Sequence, residues 1–323
     1  MKHIFITRKI PEIAINMFRD KGYEVDVYPE DTVPTQAELI SYLQKKPYDG
    51  VICLLTDDIN AAVFDAVPTA KIFATYTVGF NNIDIVEAKK RGITITNTAG
   101  ASRTPVAEHA IALILGLTTR MVEADAFTRQ GKYHGWTPMA FIGQDFSGKT
   151  LGLVGTGSIG AEVARIAHAG FGAKIIYYDV RPNAEIEKDF GAVHCPNLDD
   201  VLKAADIVSL HVPLLDSTHH LINAENLRRM KPTALLVNTS RGPVIDEKAL
   251  VEVLQQKVIA GAGLDVYEFE PKLAEGLAEL PNVILTPHIA SARIEARNEM
   301  AVIAANNIID FFEGKTPRNI VIV

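Results

Sequence analysis

The 323-residue chain holds two cysteines, no excess of basic residues and no long apolar run, and each scarcity excludes a class of protein. Two cysteines, Cys53 and Cys195, cannot make a disulfide framework. Cys53 falls inside the apolar run Val51–Leu55 and reads as a core residue. The cytoplasm is the expected compartment. A net charge of −7 argues against nucleic acid or an anionic membrane as the main partner. It leaves room for a small anionic substrate, which needs only local positive groups. The longest membrane candidate, Ala110–Leu117, is far too short to span and follows Glu108-His109. Ile4-Phe-Ile6 is cut at once by Thr7-Arg8-Lys9, so no signal-peptide core is expected. With 48% hydrophobic and 22% charged residues and no internal repeat, the chain has the balance of a globular protein long enough for two domains.

The most informative stretch is Leu151-Gly-Leu-Val-Gly155-Thr-Gly157-Ser158-Ile159-Gly160. Leu151–Val154 has strand composition, and Ile159, Val163, Ile166 and Ala167 then recur at helical spacing. In such a G-x-G-x-x-G turn the first glycine permits the bend and the second lets backbone approach a pyrophosphate. The third lets helix and strand pack closely, while the helix N-terminus offers free N–H groups. A second apolar run, Ile175–Tyr178, ends in Asp179, nineteen residues after Gly160. An acid there is placed to accept hydrogen bonds from a ribose 2′-OH. An ordinary strand–helix turn would explain the glycines but not Asp179.

On either side of this motif, strand-like and helix-like segments alternate. Strands are expected at His3–Thr7, Glu24–Tyr28, Val51–Leu55, Ile72–Tyr76 and Ile93–Thr96, with amphipathic stretches between. From Leu151 the alternation restarts and continues to Val283–Leu285. This pattern predicts an α/β protein with two doubly wound parallel-sheet domains. Proline early in a helix is favourable, so Thr104-Pro105 opens what reads as one long helix, Val106–Gln130, crossing between domains. The final helix, near Glu295–Phe312, is expected to pack back on the N-terminal domain. The loop Thr75–Asn82 follows a strand, and its Val78-Gly79 could turn backbone N–H groups to an anion; a simple turn fits equally well.

Three later strand ends carry polar residues that would converge at one sheet edge. Asn238-Thr239-Ser240-Arg241 offers a guanidinium, suited to a bidentate carboxylate. Gly263–Pro271 contains Asp265 and Glu270, and Leu285–Ser291 contains His288 after a proline. Each alone is more often a surface residue. Together they form an anion clamp, a carboxylate and an acid/base, which hydride transfer to a 2-oxo acid requires. His194 and His211 lie near strand ends, but His194-Cys195 lacks metal-ligand spacing to another pair, and His219-His220 falls in a polar loop, so no metal is expected.

These residues, with Pro105–His109, resemble the D-isomer-specific 2-hydroxyacid dehydrogenases over nearly the whole chain. The resemblance implies a Rossmann dinucleotide-binding domain, residues 101–288, inserted in a discontinuous flavodoxin-like substrate domain, residues 1–100 and 289–323. It implies Arg241, Glu270 and His288 as catalytic residues, Thr239 and Asp265 on the nicotinamide side, and Thr104 and Val212-Pro213 along the cofactor. Val78, Gly79 and Arg241 would hold the substrate carboxylate, and Glu270 would hold the His288 imidazole in its charged form. Gly135-Trp136-Thr-Pro138, Phe146–Thr150 and Glu295–Met300 are most similar to the glyoxylate/hydroxypyruvate reductase branch. In that branch Trp136 would reach the partner's substrate pocket across a homodimer. The expected cofactor is NAD, with Asp179 favouring NADH over NADPH; Arg181 is the counterweight. Alternatives are a relative acting on D-lactate, a branched 2-oxo acid or phosphoglycerate, and an NAD-sensing corepressor-like binding protein.

Overall fold

The computed structural model, which describes residues 1–321, divides into two compact units, Met1–Ser102 with Ala292–Val323, and Arg103–Ser291. The first contains β1 (His3–Ile6), α1 (Glu12–Asp20), β2 (Glu24–Val27), α2 (Gln36–Leu43), β3 (Gly50–Cys53), α3 (Ala61–Ala66), β4 (Ile72–Thr75), α4 (Ile85–Lys90) and β5 (Thr94–Thr96). Its five strands pair in parallel in the order β2-β1-β3-β4-β5, the flavodoxin-like order. Successive residues of a strand face opposite sides, and the sequence uses both. Ile4, Ile6 and Ile52 pack with Phe18 of α1 and with Ala301, Ala304 and Ile308 of the last helix. Phe5, Val51 and Cys53 pack with Leu39, Leu43 and Phe64 on the other face. Both faces being covered explains why the strands read as unbroken apolar runs. The last helix, Ile294–Phe312, thus returns to the N-terminal sheet, as expected.

The second unit contains α5 (Arg103–Thr118), α6 (Met121–Arg129), β6 (Thr150–Val154), α7 (Ser158–Phe171), β7 (Lys174–Tyr178), α8 (Ala184–Phe190), β8 (Val193–His194), α9 (Leu198–Ala204), β9 (Ile207–Leu210), α10 (Ala224–Leu227), β10 (Leu235–Asn238), α11 (Glu247–Gln255), β11 (Gly261–Leu264) and β12 (Val283–Leu285). Its seven parallel strands run β12-β11-β10-β9-β6-β7-β8. The order reverses at β6, which makes the carboxyl end of β6 beside β9 a topological switch point. Leu151, Leu153, Tyr177 and Val237 pack with α5 and α7 on one face. Val154, Leu210, Leu236 and Leu264 pack with α11 on the other. Gly152 lies within β6 because a Cβ there would stand 2.6 Å from Val201 Cγ1 and 2.8 Å from Ala205 Cβ.

The expected single helix Val106–Gln130 is in fact two, α5 and α6. The Thr118 and Thr119 hydroxyls both donate to Leu115 O, and Arg120 adopts φ 55°. A left-handed residue ends a helix, while the apolar spacing runs on through Met121 and Val122. Among the described residues, no helix is long and apolar enough to cross a membrane.

Candidate active site

Because all strands of the second sheet are parallel, every segment leaving a strand's carboxyl end emerges on one edge. In spatial order these are the turns after β12 (His288), β11 (Asp265, Glu270), β10 (Thr239, Arg241), β9 (Val212-Pro213), β6 (Gly155–Gly160) and β7 (Asp179).

The glycine turn fits a dinucleotide. Gly155 has φ +93°, and a Cβ there would meet His211 O at 2.7 Å. At Gly160 a Cβ would lie 2.2 Å from Gly155 O, so the helix can begin against its strand. A Cβ on Gly157 would meet nothing within 4 Å, and Gly157 is exposed: this is the open face. Gly157 is also the N-cap of the 14-residue α7, with no side-chain cap, so the N–H groups of exposed Ser158 and half-buried Ile159 face outward for an anion. Asp179 Oδ2 accepts from Thr156 N at 2.7 Å and Thr156 Oγ1 at 3.1 Å, while Oδ1 accepts from Arg181 N at 3.4 Å. The acid therefore braces the turn and keeps lone pairs for a ribose hydroxyl. Thr239 is buried and its Oγ1 has no hydrogen-bond partner, an orphaned group on the cofactor edge. Thr104 is exposed in the first turn of α5, Val212 is half-buried and Pro213 exposed.

Further along the edge, His288 Nδ1 stands 2.9 Å from Glu270 Oε2, and Glu270 Oε1 accepts from Tyr267 N at 3.0 Å. Glu270 is thus fixed at both oxygens, and the ring nitrogen not committed to it is Nε2. Burial pushes the Glu270 carboxyl up, but the His288 hydrogen bond and charge, the Tyr267 N–H and Arg241 outweigh it, and the group lies below the usual range. Arg241 is half-buried; burial lowers its guanidinium against the opposing pull of Glu270. His288 itself has φ 55°, a conformation a non-glycine residue adopts at a cost of roughly 1–3 kcal/mol.

Two supports were not legible in the sequence. Asn238, fully buried, folds back: Nδ2 donates to Arg241 O at 2.9 Å, and Oδ1 accepts from Ser240 N at 2.9 Å and Ser240 Oγ at 2.8 Å. Asparagine at a strand end is an Asx-turn signal that could have identified it. His109 on α5 places Nε2 3.0 Å from Thr286 Oγ1 and 3.5 Å from Asp265 Oδ1. Asp265 is wholly buried, and its carboxylate takes Thr286 Oγ1 (2.6 Å), Ile289 N (2.8 Å) and Ala290 N (2.8 Å). Its side chain is thus bound into the protein by three donors.

In the first unit, Val78 O accepts from Asn97 Nδ2 at 2.8 Å and Gly79 O from Thr77 Oγ1 at 2.7 Å. In a trans peptide the N–H lies opposite the C=O, so the N–H groups of Gly79 and Phe80 point away from these side chains. Trp136 lies between α6 and β6 and is 82% exposed.

Comparison with known proteins agrees with this arrangement. Residues 111–290 match the family D-isomer specific 2-hydroxyacid dehydrogenase, NAD binding domain. The chain is 47% identical over 320 residues to a glyoxylate reductase of Korarchaeum cryptofilum, covering 98% of this chain and 95% of that protein. It is 45% identical over 322 residues to a glyoxylate reductase of Thermococcus litoralis, covering 98% and 96%. Among solved structures, an NADPH-dependent glyoxylate/hydroxypyruvate reductase from Sinorhizobium meliloti, in complex with NADP and malonate, superposes with a TM-score of 0.87 at 31% identity, covering 99% of this chain and 96% of that one. A protein from Thermus thermophilus gives 0.92 at 38% identity, covering 99% and 100%. The chain belongs to the D-isomer-specific 2-hydroxyacid dehydrogenases, oxidoreductases that use a nicotinamide cofactor.

Proposed function

We propose that the protein reduces small 2-oxo acids, glyoxylate and hydroxypyruvate first among them, to the 2-hydroxy acids, and that it prefers NADH. The observation that carries this reading is the His288–Glu270 pair at 2.9 Å, one strand from Arg241 on the edge that also bears the dinucleotide turn. The relatives named glyoxylate reductase support the substrate class.

Arg241 binds the substrate carboxylate. A nicotinamide held on this edge would supply the hydride for the carbonyl carbon. His288 gives the Nε2 proton to the carbonyl oxygen, while Glu270 holds Nδ1, orients the ring and balances its charge. The pyrophosphate would rest on Gly157, Ser158 and Ile159, the adenosine ribose on Asp179, and the nicotinamide end near Thr239. Asp179 is the ground for NADH: a carboxylate beside a 2′-phosphate repels it and loses its hydroxyl partners.

The working unit is proposed to be a homodimer in the cytoplasm. The segment between α6 and β6 exposes Tyr133, Trp136, Met139 and Ile142 together, the kind of apolar patch that marks an interface.

Initial rates with glyoxylate, hydroxypyruvate, pyruvate and longer 2-oxo acids, each with NADH and NADPH, test the whole reading. Highest efficiency on the first two with NADH is expected. A best rate on pyruvate or a branched acid would transfer the enzyme to another substrate of the family. No turnover on any would leave a dinucleotide-sensing binding protein.

A further inference from the structure

His219 and His220 lie in the loop between β9 and α10, and Glu268 lies 48 residues on, in the loop that carries Glu270. The fold brings them together: one ligand atom from each falls within 4.8 Å of the others. The imidazoles stack at 4.0 Å between centroids, and His220 Nε2 stands 2.7 Å from Glu268 Oε1. The sequence alone offered the histidine pair no partner.

The corner is tied together through the main chain. His220, at φ 49°, donates its N–H to Pro243 O at 2.8 Å, and Ile222 N donates to Val244 O at 3.0 Å, which pins the histidine loop on the segment after Arg241. That segment in turn touches the third loop, since a Cβ on Gly242 would lie 1.9 Å from Tyr267 O and 2.5 Å from Glu268 N. Glu268 Oε2 accepts from Glu247 N at 3.2 Å. The Glu247 side chain beside it is buried. A cation held by Glu268 on this corner would balance a charge that stands beside a buried carboxylate.

We propose that His219, His220 and Glu268 form a site for a divalent transition ion, zinc or nickel, that staples the histidine loop, and through it the segment after Arg241, to the loop bearing Glu270. Two imidazoles and one carboxylate suit these ions. Ligands at about 2.0–2.2 Å from one zinc stand at most about 4.4 Å apart, so the set closes with a modest turn of the His219 ring, which is exposed. Water completes the coordination. The ion takes no part in the reaction; it ties the histidine loop to the loop that holds Glu270.

The test is calorimetric titration of the chelator-treated full chain with ZnCl2, paired with thermal melts. One equivalent should bind, and the melting temperature should rise with zinc. Removing an outer partner of a metal ligand costs roughly 10–100-fold in affinity, so losing a ligand should cost at least that. His219→Ala, at an exposed position, and Glu268→Gln, which keeps an acceptor for Glu247 N, should each weaken binding about tenfold or more. Both should keep the wild-type melting temperature in chelator. No saturable binding below about 100 µM (about −5.5 kcal/mol), or either variant binding zinc like the wild type, overturns the proposal.

Discussion

The carbonyl oxygen of Asp265 accepts the backbone N–H of His288 at 2.9 Å, so a wholly buried acid holds the proposed acid/base residue through the main chain. Its carboxylate then takes the N–H groups of Ile289 and Ala290, both at 2.8 Å. The left-handed backbone at His288 is over-determined by these contacts, as a strained conformation must be.

Asp265→Asn should therefore lower both stability and turnover. An amide turns an NH2 group toward at least one donor that the carboxylate accepted, at a cost of about 1.5–3 kcal/mol. Burial pushes Asp265 up, but hydrogen bonds from His109, Thr286, Ile289 and Ala290 hold it below the ordinary carboxylate value. The unfolded chain thus binds the extra proton more readily. The stabilisation is complete above an ordinary pKa of about 3.9 and is lost as pH falls through the lower folded value. Urea midpoints at neutral and acid pH should show a smaller acid-side drop in the variant. An equal drop would remove Asp265 from the acid sensitivity.

His288→Ala should reduce turnover by about 10²–10⁴ while NADH affinity, read by fluorescence titration, stays near the wild type. Glu270→Gln should act on the pH profile. Glu270 is ionised below the usual carboxylate range, so the pair is intact down to that lowered value and is lost as pH falls through it. Removing the carboxylate also frees Nδ1 and leaves the ring unoriented, so turnover should fall across the pH range and the acid limb that Glu270 sets should vanish; an unchanged acid limb in the variant would take Glu270 out of the pH dependence.

Asp179→Ala should shift cofactor choice toward NADPH. The carboxylate that would repel a 2′-phosphate is gone, while Arg181 remains two residues on. Since Asp179 also braces Thr156 N at 2.7 Å, efficiency with NADH should fall as well. A like-charge contact costs several kcal/mol, so the NADPH-to-NADH efficiency ratio should rise by about tenfold or more. A constant ratio would mean that Asp179 only supports the turn.

How far the sequence shows these features depends on whether their cause is local. Parallel strands buried on both faces appear as apolar runs, so β3, β6 and β10 were visible from composition. The glycine turn was equally legible, because its physics lies within six residues. Helix α8 was not: of Ala184–Phe190 only Ile186 is buried, and the helix depends on the Asn183 side chain accepting from Ile186 N. The break at Arg120 was hidden because apolar spacing continues past it. At the site, Arg241, Glu270 and His288 each follow a strand, which parallel topology turns into a shared edge. The work of Asp265 was invisible, since its partners stand 21 to 25 residues away and on α5.

Trp136 gives the sharpest test of substrate choice. Its indole is 82% exposed in this chain, with Met139 at 75% nearby. A large apolar ring left in water is a poor outcome unless another surface covers it, and in the proposed homodimer that surface is the partner's. A rigid indole closing a pocket limits substrate volume, and its N–H can meet a substrate hydroxyl. In a pocket role, Trp136→Ala should cost hydroxypyruvate, which has that hydroxyl, about tenfold more efficiency than pyruvate, which lacks it. The dimer should survive in sedimentation velocity. In an anchoring role the loss is uniform across substrates and the dimer weakens. A wild-type enzyme equally efficient on pyruvate and glyoxylate would sink the narrower substrate proposal before any substitution is made, because a pocket closed by the indole should discriminate against the added methyl group.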